Sequence, residues 1–387
     1  MKVAVDVLAY KPGETGAVVY WRKMLDLLPT IDPTIHYYFF VTASQEKYYR
    51  QGRDDVPNLH FVPARYRENS ILGRLYFQEV AVPRFCQLND IKIHYTCNPV
   101  PVFHRLRLIQ VWKILGFQYF FFPRQMKLSR SIYWKLACWL KAKNTAAIVA
   151  NSEYTKKILI HVMGISASKI KIIYEALDHN RFFPSSHDVS PIRKESFKTP
   201  YILNISENRP YKRQMELVRA FAQISQRVSA ARPYSLVIIG RNWMGYRDSL
   251  VRSAKESGIG DKVIFLDYLP NEKLPSLYRN ADLFVYLSEL ESFGIPPLEA
   301  MASGVPVIVS DKSAVAEISG GGGWAVDPDD QKSIIQAMET LLTNPIRREE
   351  AIQRGLRWAQ RYHWRKNAEE TVQLFHDLVH ADEHKDD

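Results

Sequence analysis

Two carboxylates, Glu291 and Glu299, stand with seven residues between them in "ELESFGIPPLEAMASGVPVIVSD". A Ser-Phe-Gly-Ile-Pro-Pro turn, Ser292 to Pro297, fills most of the gap. Prolines are tolerated in a first helical turn, where no intrahelical N–H is needed, so a helix is expected to begin at Ile295. Gly294 lets a ligand approach the backbone closely. The N–H groups of Phe293, Gly294 and Ile295 would face an anion there, aided by the helix dipole. Glu299, about one turn inside the helix, is placed to accept from paired hydroxyls, and Glu291 lies in the loop. As two isolated acids they also fit a solvated loop and a surface helix, so their neighbours must decide.

Further upstream, "YILNISENRPYKRQMELVRAFA" places Arg209, Lys212 and Arg213 just past an apolar run. Cations at a helix start oppose its dipole unless an anion is present, which leaves an anion site or a solvated face. "SLVIIGRNW" supplies Gly240 and Arg241 at another strand end, and "KPGETG" offers Gly13 and Gly16 as a phosphate loop or a plain turn. Asn151, Ser152 and Glu153, with Thr155 close by, read as a helix cap.

Short apolar runs must position these residues. "KVAVDVLAY", "HYYFFVT", "LHFVPA", "IKIHYT", "LIQVWKIL", "AAIVANS" and "KIIYEA" alternate with helical patterns such as "AVVYWRKMLDLLP" and "RSIYWKLACWLKAK". After a Pro- and Ser-rich stretch the alternation restarts through "YILNIS", "SLVIIG", "KVIFL", "DLFVYL" and "VPVIVS". Strands alternating with helices predict parallel βαβ units. The expectation is α/β: two Rossmann-like, doubly wound domains facing a central cleft, with ligands beyond the carboxyl ends of the strands. Boundaries fall at residues 1–182, a linker 183–199, 200–362, a helix 363–380 returning to the first domain, and a polar tail 381–387.

Charge divides unevenly. Residues 1–190 hold 26 Lys/Arg against 14 Asp/Glu, while the remainder is near balance. From Ile91 to Ser152 there is no acid at all, and Arg105, Arg107, Lys113, Arg124, Lys127, Arg130 and Lys135 interleave with Phe, Tyr and Trp. Such a stretch suits either a solvated helical face or an anionic membrane surface, and no nucleic-acid module accompanies it. Cys86, Cys97 and Cys138 are odd in number and lack metal-ligand spacing, which fits buried thiols in a reducing compartment. No apolar run approaches a spanning helix, and the start lacks a signal-peptide pattern. The expected location is cytoplasmic, peripheral on the inner face of the plasma membrane.

"YLSELESFGIPPLEAMASGVPVIVSDKSAVAEI" resembles the E-x7-E segment of the retaining, family 4 nucleotide-sugar glycosyltransferases, also called glycosyl transferases group 1, which have the GT-B fold. The similarity extends over "KVIFLDYLPNEKLPSLYRNADLFVYLSE" and "ANSEYTKKILIHVMGISASKIKIIYEALDHNRFFP" and, more loosely, over "KPGETGAVVYWRKML". The resemblance implies that Glu299 holds ribose hydroxyls and that Glu291 contacts the transferred sugar. Arg209 and Lys212 would stabilise the diphosphate leaving group, without a metal or other cofactor. Ser292, Phe293, Gly294, Ile295, Gly240, Arg241, Gly16 and Gly13 would line the donor. The sequence departs from the family where many members carry a His-Asp pair: "RLIQVWKILGFQYF" has neither, leaving Gln110 or Lys113 to hydrogen-bond there. The implied activity is transfer of a sugar to a glycan or lipid-linked acceptor. The alternatives are a non-catalytic scaffold subunit of a glycosyltransferase complex and a GT-B enzyme with a soluble acceptor.

Overall fold

The computed structural model describes residues 1–9, 16–67, 70–97, 108–116, 128–185, 200–227, 233–267 and 269–384, without the side chains of residues 128–131, 133–135 and 226. Seven apolar runs become strands: β1 (Lys2–Asp6), β2 (His36–Val41), β3 (Leu59–Pro63), β4 (Ile93–Thr96), β5 (Ile109–Lys113), β6 (Ala147–Ala150) and β7 (Ile170–Ile172). All pair in parallel, in the order β3-β2-β1-β4-β5-β6-β7. Between them run α1 (Gly16–Ile31), α2 (Ala43–Arg50), α3 (Ile71–Tyr76), α4 (Val82–Leu88), α5 (Leu128–Asn144) and α6 (Glu153–Met163), with a π-helical turn, Phe77–Ala81, joining α3 to α4. The cap expected at Ser152 is present. Its Oγ accepts from Thr155 N at 3.0 Å, and α6 ends on Gly164 at φ 65°.

Strand register assigns the faces of this sheet. Ala4 lies beside His94 and His94 beside Gln110; two residues on, Asp6, Thr96 and Trp112 share that face. It carries two apolar clusters: Ala4, Phe40, Val82 and Cys86 under α4, and Trp112, Cys138, Ala142 and Ile148 under α5. The other face packs on α1 and on the C-terminal helix Trp364–Glu383. There the Tyr95 ring meets Trp21 at 5.4 Å and Phe375 at 5.3 Å, both edge-on. On the first face, Gln78 Nε2 donates to Asp6 Oδ2 at 2.6 Å. Burial lowers the Lys141 ammonium of α5 to about 8, opposed by Asp6 and Glu79, and burial with the Lys141 charge lowers His94 to about 3.

One expectation fails here. Lys113, read as part of a membrane-facing or acceptor-facing surface, is fully buried at the end of β5. Its Nζ donates to Ile173 O at 2.8 Å and lies 5.4 Å from the Tyr20 ring centre. Burial lowers its pKa, with Glu175 opposing. A charge enclosed by its own unit has no access to a lipid surface. Gln110 is buried too, and the three cysteines are buried and not joined in a disulfide.

The second part of the chain forms β8 (Tyr201–Ile205), β9 (Ser235–Ile239), β10 (Val263–Leu266), β11 (Leu283–Tyr286), β12 (Val307–Ser310) and β13 (Trp324–Val326), again parallel, in the order β10-β9-β8-β11-β12-β13. Helices α7 (Gln214–Arg227), α8 (Tyr246–Glu256), α9 (Leu274–Arg279), α10 (Ile295–Ala302), α11 (Ser313–Ser319), α12 (Gln331–Thr343) and α13 (Pro345–Ala359) cover this sheet.

Two compact units result: Met1–Glu175 with Trp364–Asp387, and Ala176–His363. The boundary falls before residue 182 because the following stretch packs on the second unit. Leu177 N donates to Tyr362 O at 3.2 Å, Arg181 Nη2 to Asn271 O at 2.6 Å, and Phe182 meets Tyr278 edge-on. Of the expected linker, residues 186–199 lie outside the described set. The C-terminal helix runs to Glu383, past the expected end at 380. No helix among the described residues is long and apolar enough to cross a membrane.

Candidate active site

In a doubly wound sheet, the loops part where the strand order reverses, opening a crevice at the strands' carboxyl ends. In the second unit that point lies between β8 and β11. The loop after β8 carries Arg209, Lys212 and Arg213, and the loop after β11 carries Glu291.

Lys212 does not begin a helix. It ends a 3-10 turn, Pro210–Lys212; Arg213 then adopts a left-handed backbone at φ 53°, and α7 starts at Gln214. The Gln214 amide braces this loop, donating to Asn204 Oδ1 and Ser206 Oγ, both at 3.0 Å. Asn204 Nδ2 donates in turn to Val285 O at 2.8 Å, tying β8 to β11. Glu289 N donates to Tyr211 O at 3.0 Å and joins the two loops.

So held, Lys212 is buried, and its Nζ pairs with Glu291 Oε1. It also donates to Tyr286 Oη at 3.2 Å and lies over the rings of Tyr211 and Tyr286, at 5.2 and 5.5 Å. Tyr286 Oη donates to the same Glu291 oxygen at 2.5 Å. Burial and the Glu291 charge raise the Tyr286 phenol well above its ordinary range, so it keeps its proton and stays a donor.

The other two bases are placed differently. Arg209 Nε pairs with Glu207 at 2.7 Å, and its guanidinium stacks 4.7 Å over the Trp243 ring. Arg213 is engaged by Glu289 at 2.7 Å, Glu216 at 3.0 Å and Asp329 at 2.9 Å, which braces the loop. Gly240 ends β9 where a Cβ would lie 1.9 Å from Ser206 O, so only glycine fits. Arg241 is exposed, and its carbonyl accepts from Asn208 N at 2.9 Å.

Glu299 lies on α10, where Tyr278 Oη donates to its Oε2 at 2.8 Å. Part of the side chain reaches solvent, yet burial raises its carboxyl to about 7, against the Tyr278 hydrogen bond and the Arg181 charge. The two acids are thus prepared differently, Glu291 in an ion pair and Glu299 at the edge of protonation near neutrality. Gly294, at φ 102°, caps α10 ahead of Ile295, and Ser292 is partly exposed. Phe293 is buried against Tyr362, so its side chain anchors the loop.

In the first unit Gly16 opens α1 and is exposed. Gly13, Arg105, Arg107, Arg124 and Lys127 lie outside the described residues, as do the side chains of Arg130 and Lys135 on α5. Tyr286, Tyr278, Trp243 and Arg181 escaped the sequence reading. A polar-tipped residue closing the apolar run "DLFVYL" was the one signal for Tyr286. Among the described residues, no group of three or more His, Cys, Asp or Glu is gathered as for a metal ion.

Two family profiles match the chain: Glycosyltransferase Family 4 over residues 31–181, and Glycosyl transferases group 1 over residues 188–358. The chain belongs to glycosyltransferase family 4. This family 4 chain is 29% identical over 231 residues to O-antigen chain mannosyltransferase B of Escherichia coli, matching 59% of this chain and 60% of that one. It is 30% identical over 234 residues to O-antigen chain mannosyltransferase RfbU of Salmonella typhimurium, matching 60% of each. It therefore spans about 60% of the length of these curated relatives. Among solved structures it is similar to Anabaena HepE in complex with UDP and glucose, with a TM-score of 0.73 at 18% identity over 97% of this chain and 100% of that one. The fold of the family 4 chain is GT-B.

Proposed function

We propose that this chain is a retaining glycosyltransferase that moves a sugar from a nucleoside diphosphate to a hydroxyl of a glycan acceptor on a lipid carrier. The observation that carries the reading is the Lys212–Glu291–Tyr286 group at the point where the second sheet reverses its strand order. Breaking a sugar–phosphate bond builds negative charge on the leaving diphosphate, and a buried ammonium already held at the site stabilises that charge. Lys212 supplies it, and Arg209, its guanidinium over the Trp243 ring, stands immediately before the same turn. When the diphosphate draws on Lys212, Glu291 is released toward the hydroxyls of the transferred sugar. Glu299 takes the ribose hydroxyls.

This division of labour needs no protein nucleophile. The acceptor hydroxyl attacks from the face the leaving group departs, which retains configuration, and the two bases do the work a metal ion does elsewhere. The O-antigen mannosyltransferases to which the chain is similar favour mannose as the first sugar to test; the UDP held by HepE makes a uridine nucleotide one donor, and similarity to a GDP-mannose-dependent mannosyltransferase of Mycolicibacterium smegmatis, 29% identical over 236 residues, makes a guanosine nucleotide the other. The acid-free segment Ile91–Ser152 supports a peripheral position on the anionic inner face of the membrane.

The decisive experiment is a panel of UDP- and GDP-sugars, scored for saturable binding and slow hydrolysis with chelator present. Saturable turnover of one donor by the wild-type chain, lost in Lys212→Ala, supports the reading; turnover unchanged in Lys212→Ala and Glu291→Ala removes the site. Proton spectra of the product anomer test retention.

A further inference from the structure

Helices α4 and α5 cover the same face of the first sheet, and α3, which runs into α4 through the π-helical turn, and α5 turn apolar side chains outward. Ile71, Leu72 and Tyr76 of α3 are 67%, 79% and 65% exposed. Ile132, Leu136 and Trp139 of α5 are 57%, 54% and 46% exposed, spaced as neighbours on one helical stripe. The inner side of α5 is already occupied, since Ala137, Cys138, Lys141 and Ala142 are buried. A helix that merely covers a sheet carries polar residues on its outer side; the described outer residues of α5 include the apolar Ile132, Leu136 and Trp139 beside Lys143 and Asn144. Isolated exposed apolar residues are ordinary, but two such rows on one helical layer are not.

The two rows belong to one surface. Helices α4 and α5 cover the same side of the sheet, and the polar residues there converge: Gln78, just after α3, donates to Asp6, while Lys141 of α5 lies close enough to Asp6 and Glu79 to feel both charges. Glu79 is the one acid in the sequence from α3 through α4, and α5 contains none. Lys143 holds its ammonium 5.3 Å from the Trp139 ring centre, at the edge of the apolar stripe. Aromatic rings with a polar tip, aliphatic side chains and cations without nearby acids are the composition that enters a lipid headgroup layer.

We infer that the outer face of α3 and α5 docks on an anionic lipid bilayer, with Leu72, Tyr76, Leu136 and Trp139 entering the headgroup region. This deepens the membrane position in the proposed function by assigning its contact surface. It differs from the charge-only reading in giving the apolar row, and not buried Lys113, the central part. A bilayer fits better than a second copy of the chain, because two copies meeting through this face would bring Lys143 of each to an α5 that contains no acid to offset it.

The test is cosedimentation of the full chain with phosphatidylcholine vesicles, with and without about one third phosphatidylglycerol. The wild type is expected to bind the anionic vesicles at low salt and to lose most of that binding at about 0.5 M salt. The triple variant Ile132→Gln, Leu136→Gln, Trp139→Gln and the double variant Leu72→Gln, Tyr76→Gln keep helix-favouring residues at exposed sites and should melt as the wild type does. Each is expected to weaken vesicle binding by about tenfold or more. Wild type that ignores anionic vesicles, variants that bind as the wild type does, or a wild-type dimer that these substitutions break would each overturn the inference. Calorimetric titration of UDP and GDP keeps the readings apart: loss of vesicle binding with nucleotide binding intact concerns this surface, and absence of nucleotide binding concerns the donor site.

Discussion

The ammonium of Lys212 and the carboxylate of Glu291 form a buried ion pair across 79 residues of sequence, from loops that follow two adjacent strands. Tyr286, the last residue of β11, places its hydroxyl against both. A charge pair already assembled at a strand-order reversal is a site prepared before its ligand arrives.

Cutting either side of that pair leaves the other charge buried alone, which costs about 3 to 5 kcal/mol in comparable pairs. Lys212→Met and Glu291→Gln should each lower the melting temperature of the second unit, while the double variant recovers much of the loss. Turnover should behave otherwise, falling about 100-fold or more in all three. Thermal melts read beside donor hydrolysis separate the two effects, and single variants that melt like the wild type would mean the pair is not buried in solution.

Tyr286→Phe removes one hydroxyl and leaves the ring beneath Lys212. The hydroxyl's two hydrogen bonds, from the Lys212 ammonium and to the Glu291 carboxylate, are both lost, each about 1.5 to 3 kcal/mol, and the effect should appear chiefly in kcat, with nucleotide affinity kept within about threefold. A matching drop in UDP or GDP affinity would assign Tyr286 to ground-state binding instead.

Glu299 gives a pH dependence of defined sign. Its carboxyl rises from the ordinary 4.5 to about 7 on folding, so the folded chain holds that proton more tightly. The stability it contributes is full below about 4.5 and is lost as pH climbs through about 7. Glu299→Gln should therefore flatten the decline in melting temperature over that interval. Ribose hydroxyls that donate to the carboxylate favour its ionised form, so nucleotide binding near pH 7 should release protons. Titrations in buffers of different ionisation enthalpy would register that release in the wild type and not in Glu299→Gln.

Gly240→Ala places a methyl group on the Ser206 carbonyl, and backbone has no flexible end to move aside. The β8 loop that carries Lys212 must then shift. The expected outcome is weaker UDP or GDP binding together with a lower melting temperature.

Most strands could be read from the chain because fully buried parallel strands are short apolar runs, as in "SLVIIG" and "DLFVYL". β13 escaped because Trp324–Val326 is three residues long, half-exposed and preceded by four glycines. In the site, Glu291, Glu299 and Lys212 were legible through a local pattern, and Arg209 through its nearness to Lys212. What the sequence withheld was pairing over distance. Nothing near Arg209 announces Trp243, nothing near Glu299 announces Tyr278 or Arg181, and nothing near Lys113 says that it points into its own unit. The charge count misled there because it cannot tell a buried lysine from a solvated one.

The C-terminal helix gives the first unit an unusual order of assembly. Trp364 and Phe375 pack on Tyr20 and Tyr95, so the first unit's sheet lacks part of its cover until residues made after the entire second unit arrive. Domains are commonly completed from the amino end as the chain emerges. Here the second unit is contiguous in sequence, whereas Tyr20 and Tyr95 of the earlier-made unit lack their Trp364 and Phe375 neighbours until the end of synthesis.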